Sequence, residues 1–147
     1  MGSRRESREA ALQLLFSHDI QKPEDLDGPA IESFWALRPA SQNVREMSTV
    51  ILRGVLENLD PIDDKIASAC ENYSLERISV VDRNILRIAL YEMFHREDIP
   101  PIVSINEAIE IAKRFGSPDS GAFINGILDR LKEQLTRPLR SARRDGC

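Results

Sequence analysis

Histidine is nearly missing from this 147-residue chain: His18 and His95 are the only two, far apart and in no HExxH pattern. That excludes the usual zinc-hydrolase arrangement and leaves little for acid–base or nucleophilic catalysis. Cysteine is almost as scarce. Cys70 lies within a helical pattern, where it reads as a small core residue, and Cys147 is the last residue, so neither a disulfide framework nor a zinc site is spelled out. Aromatic residues make up only 5% of the chain, with leucine and isoleucine in their place, a balance that favours helices over a sheet. No apolar run approaches the roughly 18 residues of a membrane span. The N-terminus, MGSRRESREAALQ, has no apolar signal region, so the expected location is cytoplasmic, with no membrane partner. The Asn72-Tyr73-Ser74 sequon is then accidental.

Seven glycines form no dinucleotide or methyl-donor loop. Gly121 and Gly126 have the spacing of a phosphate loop, but Ile127-Leu128 follow where lysine and serine or threonine are required, and no strand precedes them. The chain is therefore expected to be no enzyme and to hold no cofactor and no metal.

What is present is a helical code. The composition, 41% hydrophobic and 30% charged, is that of a soluble globular protein large enough for one domain. Ser3-x-x-Glu6 reads as a capping box that opens a helix to about Asp19. A loop, QKPEDLDGP, precedes a short helix, AIESFWALR. Ser41 caps a long helix through Val44, Met47, Ile51, Val55 and Leu59. Asp60-Pro61 reads as an N-cap with proline at the first helical position, opening a helix to Tyr73. SLERIS is a tight connection. Ser79 heads a helix with one broad apolar face, and Ser104-x-x-Glu107 reads as a second capping box for a helix stopped by Gly116. The last helix runs from near Pro118 to about Leu135. The expectation is an all-α fold of about seven helices, with 137–147 a basic flexible tail.

Charge is segregated. Residues 1–8 carry a net +2 and residues 132–147 a net +3, so the body between them carries −9. An acidic body with basic ends points to local nucleic-acid contact. The stretch SPDSGAFINGIL supplies the chemistry for it. Ser117, Ser120 and Asn125 can hydrogen-bond phosphates or base edges beside a helix N-terminus, with Ser117 and Asp119 as its capping residues. Phe123 can stack on an unpaired base. Gly121 would let a ribose–phosphate or another backbone approach closely, and Gly126 would do so on a different side, against the N-terminal helix.

Three segments, RRESREAALQLLF, VVDRNILRIALYEMFHREDIPPIVSINEAIEIAKRFG and SPDSGAFINGILDRL, together resemble the NusB family of bacterial transcription antitermination factors. The resemblance spans nearly the whole chain and is weakest between about Gln21 and Glu57. It implies one domain over 1–136 built of two packed helical subdomains, roughly 1–59 and 60–136. It implies binding to the single-stranded boxA element of nascent ribosomal RNA together with the NusE ribosomal protein, loaded onto elongating RNA polymerase with other Nus factors. The family's arginine-rich RNA contact falls on Arg4, Arg5 and Arg8, with Glu6 and Ser7 interrupting it, and its aromatic falls on Phe16. The D-S-x-x-F-x-N-G block falls on Asp119, Ser120, Phe123, Asn125 and Gly126. The partner-facing helix is Val81 to His95, with Asp82 and Arg83 as the contact positions and the Asp82 carboxylate expected to be exposed. Two other readings remain open: an RNA-targeting module of an RNA cytosine methyltransferase, and a protein adaptor with no RNA role.

Overall fold

The computed structural model describes residues 2–21, 28–70 and 74–140, and among them it contains seven α-helices and no strand. The chain divides into two compact units, residues 1–53 and 54–147. The division lies within the third helix, six residues before the Leu59/Asp60 boundary expected from the resemblance. The loop expected at residues 22–27, the sequon residues Asn72 and Tyr73, and the tail residues 141–147 lie outside the described residues.

The first unit holds α1 (Gly2–Gln21), α2 (Gly28–Leu37) and the larger part of α3 (Gln42–Glu57). The α1 core stripe is Arg8, Ala11, Leu12 and Leu15, repeating at the three- and four-residue spacing of one helix face. Small residues bring α1 and α3 together: the buried Ser48 Oγ donates to Ser7 O at 3.1 Å and to Val44 O at 2.7 Å. Ser41 caps α3 as expected, its Oγ accepting from Val44 N at 3.2 Å. Helix α1 begins at Gly2, so Ser3 lies inside it and not at the N-cap position expected of it. Glu6 approaches Arg38 instead, at 3.6 Å.

The second unit is built around α5 (Val80–His95), which is packed by α4 (Leu59–Ala69), α6 (Pro101–Phe115) and α7 (Ser120–Leu131). A 3-10 turn, Leu75–Arg77, forms at the expected tight connection, and another, Lys132–Gln134, follows α7. From Asn84 to Met93 every residue of α5 is buried, so the one broad face expected for it is in fact the whole surface. Its polar side chains are accordingly paired. Arg87 makes a forked bond to Asp63, 2.8 Å on each arm, and donates to Asn84 Oδ1 at 3.0 Å. Such pairing is what a buried guanidinium requires. Gly54 lies against the ring of Tyr91, which any Cβ would overlap.

Four sequence expectations are corrected here. Helix α4 begins at Leu59, with Asn58 as its N-cap and Asp60 in its first turn. It ends at Ala69, before Cys70, which is only half-buried. Helix α6 begins at Pro101, so Ser104 lies inside it, and its buried hydroxyl donates to Glu92 Oε1 at 2.6 Å instead of capping. Residues 137–140 are docked: Ile102 N donates to Leu139 O at 2.8 Å, and the Arg137 guanidinium binds backbone carbonyls at the end of α5.

Candidate nucleic-acid interface

In the first unit the expected basic contact is reduced by packing. Arg4 and Arg5 are exposed, whereas Arg8 is buried and engaged within the protein, because it starts the stripe continued by Leu12 and Leu15. Arg8 therefore presents no bare cation to a phosphate, which corrects the reading of three equivalent arginines. Phe16 is 40% exposed. Eleven residues separate it from Arg5, a turn of about 20° around the axis, so the two occupy one face of α1 roughly 16 Å apart.

In the second unit the loop between α6 and α7 is held by paired serines. Ser117 N donates to Ser120 Oγ at 2.9 Å, Ser120 N donates to Ser117 O at 3.1 Å, and the two hydroxyls are 3.2 Å apart. This explains Gly116. A Cβ there would overlap Ser120 Oγ, lie 2.6 Å from Ser120 Cβ, and lie 2.8 Å from Ala112 O. Ser120 is buried and its hydroxyl is occupied in the loop, so it fastens the site instead of offering a free contact. Ser117, Asp119 and Asn125 are exposed, and Phe123 is half-buried. Asp119 occupies the N-cap position of α7, but its side chain makes no capping hydrogen bond. Its carboxylate is an exposed charge at the rim.

Two hollows meet at Ser117. One, about 200 Å³, is lined by Arg77, Ile78, Ser79, Asp82, Asp119 and Phe123 together with the serine pair. The other, about 550 Å³, lies along α6 and α7 and is lined by Ile109, Lys113, Gly121 and Asn125. A Cβ at Gly121 would touch Ile109 and Lys113 only at 3.9–4.0 Å. At Gly126 it would meet no atom of the described residues within 4 Å. Close packing among the described residues therefore requires neither glycine.

Asp82 departs most from its sequence reading. It is buried, 9% exposed, and Oδ1 has no hydrogen-bond partner. Its backbone N–H donates to the Ser79 cap at 3.1 Å. The carboxylate expected on an exposed rim instead lines the smaller cleft. Arg83 is half-buried, with one N–H donating to Leu75 O at 3.4 Å. Sequence reasoning missed Lys113, which becomes part of the site only once α6 and α7 pack side by side. Among the described residues no cluster of His, Cys, Asp and Glu side chains could hold a metal, and no helix is long and apolar enough to cross a membrane.

The NusB family model matches residues 5–133 of the chain. The transcription antitermination protein NusB of Desulfosudis oleivorans is 45% identical over 136 residues, covering 92% of this chain and 88% of that protein. The Geobacter sulfurreducens protein of the same name is 46% identical over 136 residues, covering 92% and 97%. Among solved structures, T. maritima NusB superposes with a TM-score of 0.79 at 43% identity, covering 91% and 93%. A chain from the crystal structure of antitermination factors NusB and NusE in complex with dsRNA superposes with a TM-score of 0.78 at 19% identity, a likeness of fold, over 91% and 98%.

Proposed function

The chain belongs to the NusB family of transcription antitermination factors, and we infer that it works by binding the single-stranded boxA element of nascent ribosomal RNA together with the NusE ribosomal protein. The assembly then joins elongating RNA polymerase with other Nus factors in the cytoplasm. The observation that carries this reading is the paired-serine loop, which gathers Ser117, Asp119 and Phe123 around one cleft beside a second groove holding Lys113 and Asn125. Hydroxyl and amide groups, a half-exposed ring and a single ammonium are what an unstacked RNA strand uses.

In the first unit the exposed Arg4 and Arg5 supply phosphate contacts and Phe16 a stacking surface on one helix face. The test is RNA binding across a salt series. Each phosphate contact on a single strand contributes a slope of about −0.7 in log K against log salt. Replacing Arg4 and Arg5 with alanine is expected to flatten the slope by roughly 1.4, and Arg8→Ala to leave it unchanged while lowering the melting temperature. An unaltered slope in the double variant would remove α1 from the interface. The NusE contact at Asp82 and Arg83 is not carried forward as a surface ion pair, because the Asp82 carboxylate is buried. The net −9 of residues 9–131 remains the feature that suits a basic protein partner.

A further inference from the structure

Oδ1 of Asp82 is a buried acceptor without a partner, and Asp82 lines an open cleft of about 200 Å³. Buried polar atoms are nearly always satisfied, so an orphaned carboxylate oxygen beside open space marks a place where a donor arrives from outside. Resting on the RNA-binding reading above, we propose that this cleft reads the edge of one unpaired base, guanine before any other, and that Asp82 is its specificity-determining residue.

The surroundings select the occupant. Asp82 and Asp119 set two carboxylates against the one guanidinium of Arg77 around the cleft, which leaves it acidic, whereas the adjoining groove is lined by Lys113, paired with the exposed Glu110 at 3.0 Å beyond the groove's lining. Ser117 belongs to both hollows. A nucleotide lying across Ser117 therefore places its backbone toward Lys113 and its base toward Asp82, against the ring of Phe123. Among the bases, guanine alone carries two adjacent donors, N1–H and the N2 amino group, on its Watson–Crick edge. Adenine and cytosine set one amino group beside an acceptor nitrogen. Uracil flanks its single N–H with two carbonyls, which face the carboxylates with like charge. Hydrogen bonding at that edge is how unstacked RNA bases are distinguished.

Such a pocket leaves a mark on the free protein. An unpartnered buried carboxylate destabilises the fold until its ligand arrives, so neutralising it should raise stability while erasing selectivity. This pairing separates a reading residue from a structural one.

The experiment uses the full chain, alone and with NusE, and fluorescence anisotropy on decauridylate carrying one central guanine. The same oligomer is tested with inosine, adenine or uracil at that place. The expected result is a loss of at least about fivefold when inosine, which lacks the N2 amino group, replaces guanine. Asp82→Asn and Asp82→Ala should bind the guanine and inosine oligomers within twofold of each other and melt at the same or a higher temperature. Lys113→Ala should weaken all four oligomers alike and flatten the salt slope by about 0.7. Equal binding of all four by the unaltered protein, or preference retained by the folded Asp82 variants, overturns the proposal while leaving RNA binding intact. Selectivity unchanged with weakened NusE binding in the Asp82 variants would show instead that the cleft takes a cationic side chain of the partner, and overturns it too. No binding of any oligomer, with or without NusE, removes the RNA reading and this one together.

Discussion

Replacing Arg137 with alanine should unfasten the end of α5. One arm of its guanidinium donates to Glu92 O at 3.1 Å, Met93 O at 2.9 Å and Arg96 O at 2.9 Å. The other reaches Ile99 O at 2.8 Å and Glu97 O at 3.3 Å. These carbonyls include the negative end of the helix dipole, where a cation contributes about 0.3–1 kcal/mol, and up to about 2 when partly buried. A hydrogen bond to a charged group contributes about 1.5–3 kcal/mol. Water can reach part of this half-exposed cluster, so the bonds do not add, and a net loss of about 2–4 kcal/mol is the reasonable expectation. For a chain of this length that is a fall in melting temperature of roughly 6–12 °C. Arg137→Lys should recover less than half, since one ammonium cannot span the fork. Calorimetry measures the first effect. An RNA salt series provides the control, because a residue committed to carbonyls should leave the slope unchanged. A melting temperature within 2 °C of the unaltered protein, or a slope flattened by about 0.7, would refute the reasoning and return Arg137 to the basic tail as a phosphate contact.

Gly116→Ala forces a methyl group into Ser120 and the Ala112 carbonyl, and overpacking of that kind should lower stability by roughly 1–3 kcal/mol in urea unfolding; an unchanged midpoint would show that the serine pair yields freely. Asp119→Asn should tighten RNA binding several-fold, because an exposed carboxylate about 6–8 Å from a phosphate costs on the order of 2 kcal/mol before salt screening, while the lost dipole interaction of about 0.3–1 kcal/mol lowers melting only slightly. Equal or weaker binding would place the RNA elsewhere. His95 is held below its ordinary value of 6.5 first by burial and then by the nearby Lys65 ammonium. Its neutral form is thus favoured in the fold, and its contribution to stability, present above about pH 6.5, is lost as pH falls through the unfolded and then the folded value. An NMR titration should give a midpoint below 6.5 that rises in Lys65→Met; a midpoint at or above 6.5 in the unaltered protein would contradict this.

Local signals were legible wherever the partner of a residue lies within a few positions of it. Ser41 and Ser79 bond the amide three residues on, and both were readable as caps. Ser104 presents the same spacing, but its hydroxyl is taken by Glu92, twelve residues away, and Pro100–Pro101 has already started the helix. Arg137 likewise resembles tail charge until the chain returns it to α5, forty-five residues back. In the site, Ser117 to Asn125 could be read because one loop and one helix turn carry all of it. The burial of Asp82 could not be read. Its position in a first turn suggests exposure, and only the packing of the Leu75–Arg77 turn and the start of α7 around it closes the cleft. Arg8 differs from Arg4 and Arg5 for a related reason: the core stripe of α1 extends one turn further toward the N-terminus than its leucines do.

The central claim is that this chain recognises boxA RNA jointly with NusE, and the direct measurement is the affinity of the chain for a boxA oligonucleotide and for a scrambled one of the same composition, each with and without NusE. The account expects boxA to bind more tightly than the scrambled sequence, and NusE to increase that difference by tenfold or more, about 1.4 kcal/mol of coupling. Equal affinities for the two sequences, unaltered by NusE, would contradict it.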